Sequence, residues 1–188
     1  MKGTRMNQRS ATAILDFWFT ELSPQAWFTK DDALDERIRS RFLGIYDHLA
    51  NTALIAPLLA PPDTTLAALI ALDQFPRNMF RGSARMFDSD AKALDLARRA
   101  LDAGTDRQVA TARRLFFYLP FEHSEAFTDQ DLSVALFEQL GDPHYLRYAI
   151  AHRDIIARFG RFPHRNEILK RPSTAEELAF LAQPGSSF

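Results

Sequence analysis

Leu34, Ile38, Phe42, Ile45, Leu49 and Ala53 recur at spacings of four and three, the period of an α-helix with one face against a core. Asp31 and Asp32 stand just ahead of that run, where negative charge favours the positive end of a helix. The helical period continues through nearly every other segment. Ile14, Leu15, Phe17, Trp18 and Phe19 make residues 10–22 a short helix, apolar nearly all round and therefore buried. Pro57 and the Pro61-Pro62 pair break the chain, and Asp63 or Thr64 then caps a third helix that ends near Pro76.

The second half is punctuated by glycine. A helix from about Ser89 stops at Gly104, the residue type best suited to a left-handed terminus. Thr105-Asp106-Arg107-Gln108 predicts a capping box that opens the next helix, running to Pro120. A helix through Leu132, Leu136 and Leu140 stops at Gly141; Asp142 caps its successor, which has Pro143 in first position and runs to Gly160. Ser173-Thr174-Ala175-Glu176 predicts a second capping box, for a last helix ending before Pro184-Gly185. Residues 89–120 and 128–160 thus form two successive helix–glycine–helix hairpins, and no strand pattern survives anywhere. The expected fold is all-α, a compact bundle of about eight or nine helices built from antiparallel hairpins. It forms one domain over residues 1–188, with flexible ends at 1–9 and 184–188.

Composition narrows the classes. A chain of 188 residues, 46% apolar, can bury roughly 70% of its unfolded surface. Sixteen Phe stand against four Tyr and two Trp, so the core is built from rings without a polar handle. A formal net charge of −1 argues against a nucleic-acid binder. Cysteine is absent, which excludes disulfides, thiolate nucleophiles and Cys-ligated zinc and fits a reducing cytoplasm. MKGTRMNQRS carries positive charge with no apolar run after it, so no secretory signal is expected. Runs such as TLAALIAL fall well short of the ~20 residues of a membrane span.

Against this apolar background a few polar residues break the pattern. Asp73 falls on the same face as Leu66, Leu69 and Ile70, where a carboxylate is costly unless paired. It either pairs locally with Arg77, four residues on, or orients an arginine or histidine from elsewhere in the chain. Phe75-Pro76-Arg77-Asn78 is echoed by Phe162-Pro163-His164-Arg165-Asn166, which follows Gly160 and Arg161. Proline suits the first turn of a helix, where unpartnered amides and a nearby arginine can cradle an anion; both stretches equally suit the stapling of helix ends. His123, between Glu122 and Glu125, has the company of a general base or metal ligand, or of an ordinary surface loop. His152 shares an inward stripe with Tyr145, Ala149, Ile156 and Phe159. No Gly-rich phosphate loop, HExxH, GxSxG or dinucleotide fingerprint is present, and neither a metal nor a cofactor is expected.

ALDQFPRNMFRG (71–82), FFYLPFEHSE (116–125) and HRDIIARFGRFPHRNEILKRPSTAEELAFL (152–181) together resemble the bacterial family catalogued as domain of unknown function 924. The likeness runs from Asp16-Phe17-Trp18-Phe19 to the last helix. It implies an all-helical, tetratricopeptide-like fold and brings no activity with it. One departure is Lys170, where members of that family tend to have glycine; it bears on the turn before the last helix.

Asp73, Arg77, Asn78, His123, Glu125, His152, Arg161, His164, Arg165 and Asn166 are expected to converge on one concave polar pocket. Its ligand would be a small anion or an acidic peptide end. The alternatives are a hydrolase or lyase using His123 or His152 with Glu122 or Glu125, and a polar network that only fixes helix packing.

Overall fold

Pro76 carries no amide hydrogen, and the helix around it is rebuilt accordingly. In the computed structural model, which describes residues 6–52 and 61–186, the described residues form helices joined by turns, with no strand among them. It falls into two compact units, Met1–Arg81 with Arg85–Pro120 and Gly82–Ala84 with Phe121–Phe188. Ala53 and Pro57 lie outside the described residues, as do the first five residues and the last two.

In the first unit, α1 (Gln8–Asp16) is capped by Asn7, whose side chain accepts from the Ser10 amide, and widens into a π-turn over Phe17–Glu21. Helix α2 (Asp32–Asn51) is capped by Asp31, which accepts from the amides of Ala33 and Leu34. Its buried face runs through Leu34, Ile38, Phe42, Tyr46 and Leu49, so Tyr46 takes the place expected of Ile45. Helix α3 (Pro62–Leu69) starts after Pro61, not at an Asp63 or Thr64 cap: proline needs no amide partner in a first turn, and Asp63 supplies charge there. Nor does it end at Pro76. A π-turn over Ile70–Gln74 leads directly into α4 (Phe75–Met79), which holds Pro76 near its start. The Leu72 carbonyl, which a residue four positions on would normally serve, accepts instead from the Ser89 hydroxyl at 2.6 Å. Helix α1 packs on α3, and α2 on α4. Between them Phe17, Trp18, Phe42 and Phe75 interlock, Phe42 stacked on Phe75 at 4.9 Å.

Helix α5 (Asp90–Asp102) packs on α3. The expected capping box at Thr105 does not form. The amides of Gly104 and Thr105 reach back to the carbonyls of Leu101 and Ala100, so both residues close α5. Thr105 consequently lies in the right-handed helical region, not the extended one of a cap, and Asp106–Gln108 is a 3₁₀ turn. Helix α6 (Thr111–Glu122) follows and is tied back by the Tyr118 hydroxyl, which donates to Asp106 at 3.0 Å. Its last two residues belong to the second unit.

The second unit is built on the hairpin of α7 (Phe127–Leu140) and α8 (Pro143–Phe159), joined through left-handed Gly141 and the Asp142 cap as the sequence predicts. The inner face of α7 is not the leucine stripe. Leu132 is exposed, while Asp129, Gln130, Ser133, Leu136 and Phe137 are buried. Helix α9 (Ala175–Leu181) does open with a capping box, one residue later than expected: Thr174 accepts from the Glu177 amide, and Glu177 accepts from the Thr174 amide. No described helix is long and apolar enough to cross a membrane.

Candidate functional site

Gly160 ends α8 in the left-handed region at φ 67°, and the chain turns into Phe162, whose ring is fully buried against Ile155 and Ile156. A 3₁₀ turn over Pro163–Arg165 follows, with proline in its first position. This short path brings three polar side chains against one ring, with a fourth beside them. His152 meets Phe162 edge-on at 5.5 Å and His164 lies 5.5 Å from it, while the Arg165 guanidinium sits 4.6 Å over its face. His123 approaches His152 at 6.4 Å between ring centres, and its carbonyl accepts from Arg165 at 2.9 Å.

His152 is buried, and its Nδ1 lies 2.9 Å from the Tyr148 carbonyl and 3.4 Å from a Glu122 oxygen. A carbonyl can only accept, so the ring proton sits on Nδ1 and Nε2 is left as the basic nitrogen. Burial pushes the His152 imidazole down to about 3, with His123, His164 and Arg165 adding to the effect and the Tyr148 bond opposing it. Burial and then the Arg165 charge lower His164 to about 4, against the pull of Glu125. Both rings are neutral at pH 7.

The remaining polar residues of this stretch form a clasp around the Phe162 backbone. Glu125 accepts from the Phe162 amide at 2.8 Å and from both terminal nitrogens of Arg171. Arg171 also donates to the Phe162 carbonyl at 3.1 Å and to the Asn166 side chain at 3.0 Å. Burial raises the Glu125 carboxyl, but the Arg171 and Phe162 bonds outweigh it and hold it below its ordinary value. Arg161 grips Glu177 at 2.7 and 2.9 Å and donates to the Pro172 carbonyl; Asn166 donates to Ser173 and Glu177. The Arg161 bond, helped by the Thr174 amide, lowers Glu177 to about 2.

Asp73, Arg77 and Asn78 belong to the first unit, where each has local partners. Asp73 accepts from Gln74 and stands 3.7 Å from Arg77, whose guanidinium meets both oxygens of Asp90 at 3.0 and 3.3 Å. Asn78 donates to Asp35 at 2.8 Å, and Arg81 grips the same carboxylate at 2.7 and 3.0 Å.

Sequence reasoning passed over Arg171 and Glu177, whose roles rest on contacts with distant segments. It also passed over Gln130 and Ser133, for which a signal existed: two polar residues three apart on a helix otherwise marked by Leu136 and Phe137. No group of His, Asp and Glu side chains suited to a metal ion occurs among the described residues.

A sequence model of the family described as bacterial protein of unknown function (DUF924) matches residues 14–185. A solved structure of a protein of unknown function from Agrobacterium tumefaciens is 42% identical, covers 92% of this chain and 96% of its own, and superposes with a TM-score of 0.87. None of the curated proteins matches.

Proposed function

Because the chain belongs to the DUF924 family of bacterial proteins of unknown function, which hands it no activity, we propose from geometry alone that it is a binding protein for a small anion, held by Arg165 with His164, His123 and His152. One observation carries the proposal: two imidazoles and a guanidinium meet the Phe162 ring, and a third imidazole, His123, faces His152. Glu125, the carboxylate nearest in sequence to His123 apart from Glu122, is held by the fork of Arg171. An arriving carboxylate or phosphate would accept a charge-assisted bond from Arg165 and an N–H bond from a neutral imidazole beside it. Arg161 and Asn166 serve as the frame, through Glu177. The cysteine-free sequence supports a cytoplasmic setting.

The test is thermal stabilisation by inorganic phosphate, pyrophosphate and di- and tricarboxylates. Arg165 is buried and bonds the His123 carbonyl, so Arg165→Gln, which keeps part of the stem, is paired with the gentler His164→Asn. Stabilisation of the wild type that is lost in the first variant and weakened in the second is the expected result. A wild type indifferent to every anion would sink the proposal.

A second reading, general-base catalysis by His152 oriented by Glu122, has the 3.4 Å contact in its favour. An imidazole lowered to about 3 is a feeble base at neutral pH, which is why binding is preferred. Hydrolase or lyase turnover abolished by His152→Gln and Glu122→Gln would reverse that preference.

A further inference from the structure

Gln130 and Ser133 lie one turn apart on the inner face of α7, both with no exposed surface. The Gln130 amide nitrogen donates to the carbonyls of Phe121, Glu122 and Ser124 at 3.3, 2.7 and 2.6 Å, closing the end of α6. Three carbonyls can only accept, so the amide orientation is fixed and Oε1 must point the other way. That oxygen and the Ser133 hydroxyl meet no hydrogen-bond partner. Orphaned polar atoms at this depth destabilise the fold, and leucine or alanine would serve packing better.

The hairpin register shows what lies opposite. Phe137 meets Tyr145 at 6.4 Å between ring centres, which sets how α7 and α8 pass each other. Helical spacing from that contact carries Ser133 toward Ala149 and Gln130 toward His152, and Gln130 and His152 both meet Glu122, one at its carbonyl and the other at its carboxylate. The Glu122 carboxylate lies 3.4 Å from His152 Nδ1.

We propose that Gln130 and Ser133 are specificity-determining residues of the anion site, recognising a hydroxyl, amide or ammonium donor carried a few bonds from the ligand's acidic head. This rests on the anion-binding function proposed above. The ligand class is then a small hydroxy acid, amino acid or hydroxylated phosphate ester: the head meets Arg165 and the imidazoles, the substituent donates to Oε1, and the Ser133 hydroxyl donates to a ligand hydroxyl oxygen or accepts a second proton from an amide or ammonium. A substituent lacking the donor would leave both oxygens unserved, which is the strongest form of discrimination a buried polar site offers.

Two matched pairs of probes test it, malate against succinate and glycerol 3-phosphate against propyl phosphate, by calorimetric titration of wild type and Ser133→Ala. The wild type is expected to bind the hydroxylated member of at least one pair about tenfold more tightly. Ser133→Ala is expected to lose that preference, keep its affinity for the plain anion, and melt no lower than the wild type. Equal binding within each pair overturns this inference and leaves anion binding standing. So does a preference that survives Ser133→Ala, or a variant that melts lower with its preference intact. If no member of either pair binds, the anion site itself fails and this inference falls with it.

Discussion

Arg171 holds Glu125 through two parallel bonds, Nη1 to Oε2 at 2.7 Å and Nη2 to Oε1 at 3.0 Å, across 46 residues of sequence. The same two side chains take the Phe162 amide and carbonyl, so the ring at the centre of the site is fixed from both sides of its peptide. The pair is part-buried, where a guanidinium fork and a carboxylate satisfy each other better than a point charge could. Glu125→Gln is expected to lower the unfolding free energy by about 2 kcal/mol, because Arg171 loses its counter-charge while still desolvated. Arg171→Lys should cost at least half as much, since an ammonium cannot serve both oxygens and the two other acceptors. Urea denaturation reads both, and a lysine variant as stable as the wild type would show that charge alone matters.

Acid should weaken the protein in two overlapping stages. His152 and His164 are lowered to about 3 and about 4 from an ordinary 6.5. Their folded values lie below their unfolded ones, so acidification protonates the unfolded chain first. The stability that the neutral rings contribute is whole above pH 6.5 and is lost as pH falls toward 4 and then 3. Glu177, lowered to about 2 from 4.5, has the same sign in a lower window: its share is present above 4.5 and is lost on the way down to 2. Unfolding free energy measured in urea is therefore expected to decline continuously below pH 6.5. His164→Asn should flatten the upper stage by up to about 3 kcal/mol. An unchanged slope between pH 6.5 and 4 would remove His164 from the account.

Some of this was legible in the chain and some could not have been. The run from Asp142 to Pro163 reads correctly because each signal is local: cap, proline, inward stripe with His152, and a glycine whose left-handed turn only glycine makes at ease. The Thr105 box misled because its residues also fit a helix C-terminus, and the Gly104 turn claimed them first. Arg161 and Asn166 are legible as a dense group of donors, but the carboxylate they bond, Glu177, stands on another helix that sequence spacing does not locate. Asp35 is the same case in the first unit, a charge on the buried face of α2 answered by Arg81 from 46 residues away. On α7 the leucines drew the eye from Gln130, whose burial is decided by the carbonyls of α6 that it closes.

Lys170 occupies the left-handed region at φ 54°, as a non-glycine residue rarely does. The amide of Arg171 bonds the Asn166 carbonyl at 2.8 Å and that of Lys170 bonds the Glu167 carbonyl at 3.1 Å, a helix-ending turn whose left-handed position belongs by preference to glycine. This turn aims Arg171 at Glu125, so its conformation is not free to relax. Lys170→Gly is expected to raise the unfolding free energy by roughly 0.5–1 kcal/mol, the relief of side-chain strain exceeding the added freedom of the unfolded chain. Lys170→Ala, which keeps a Cβ, should change little. A glycine variant that melts lower than the wild type would contradict the strain.

Pro76 and Ser89 depend on each other through a single carbonyl. Proline at 76 withdraws the donor that the Leu72 oxygen would have had, and the Ser89 hydroxyl replaces it inside the fully buried surroundings of Leu72 and Ser89. Ser89→Ala should therefore destabilise the protein by about 1–3 kcal/mol, the cost of a buried acceptor left unserved. The hydroxyl makes no capping bond at the start of α5, so loss of a cap does not enter. In a Pro76→Ala background the chain regains an amide at position 76 that can turn to Leu72. There Ser89→Ala is expected to cost markedly less, with a coupling of about 1 kcal/mol or more between the two positions. Four urea titrations complete the cycle, and strict additivity would mean that the serine serves some purpose other than the proline's missing hydrogen.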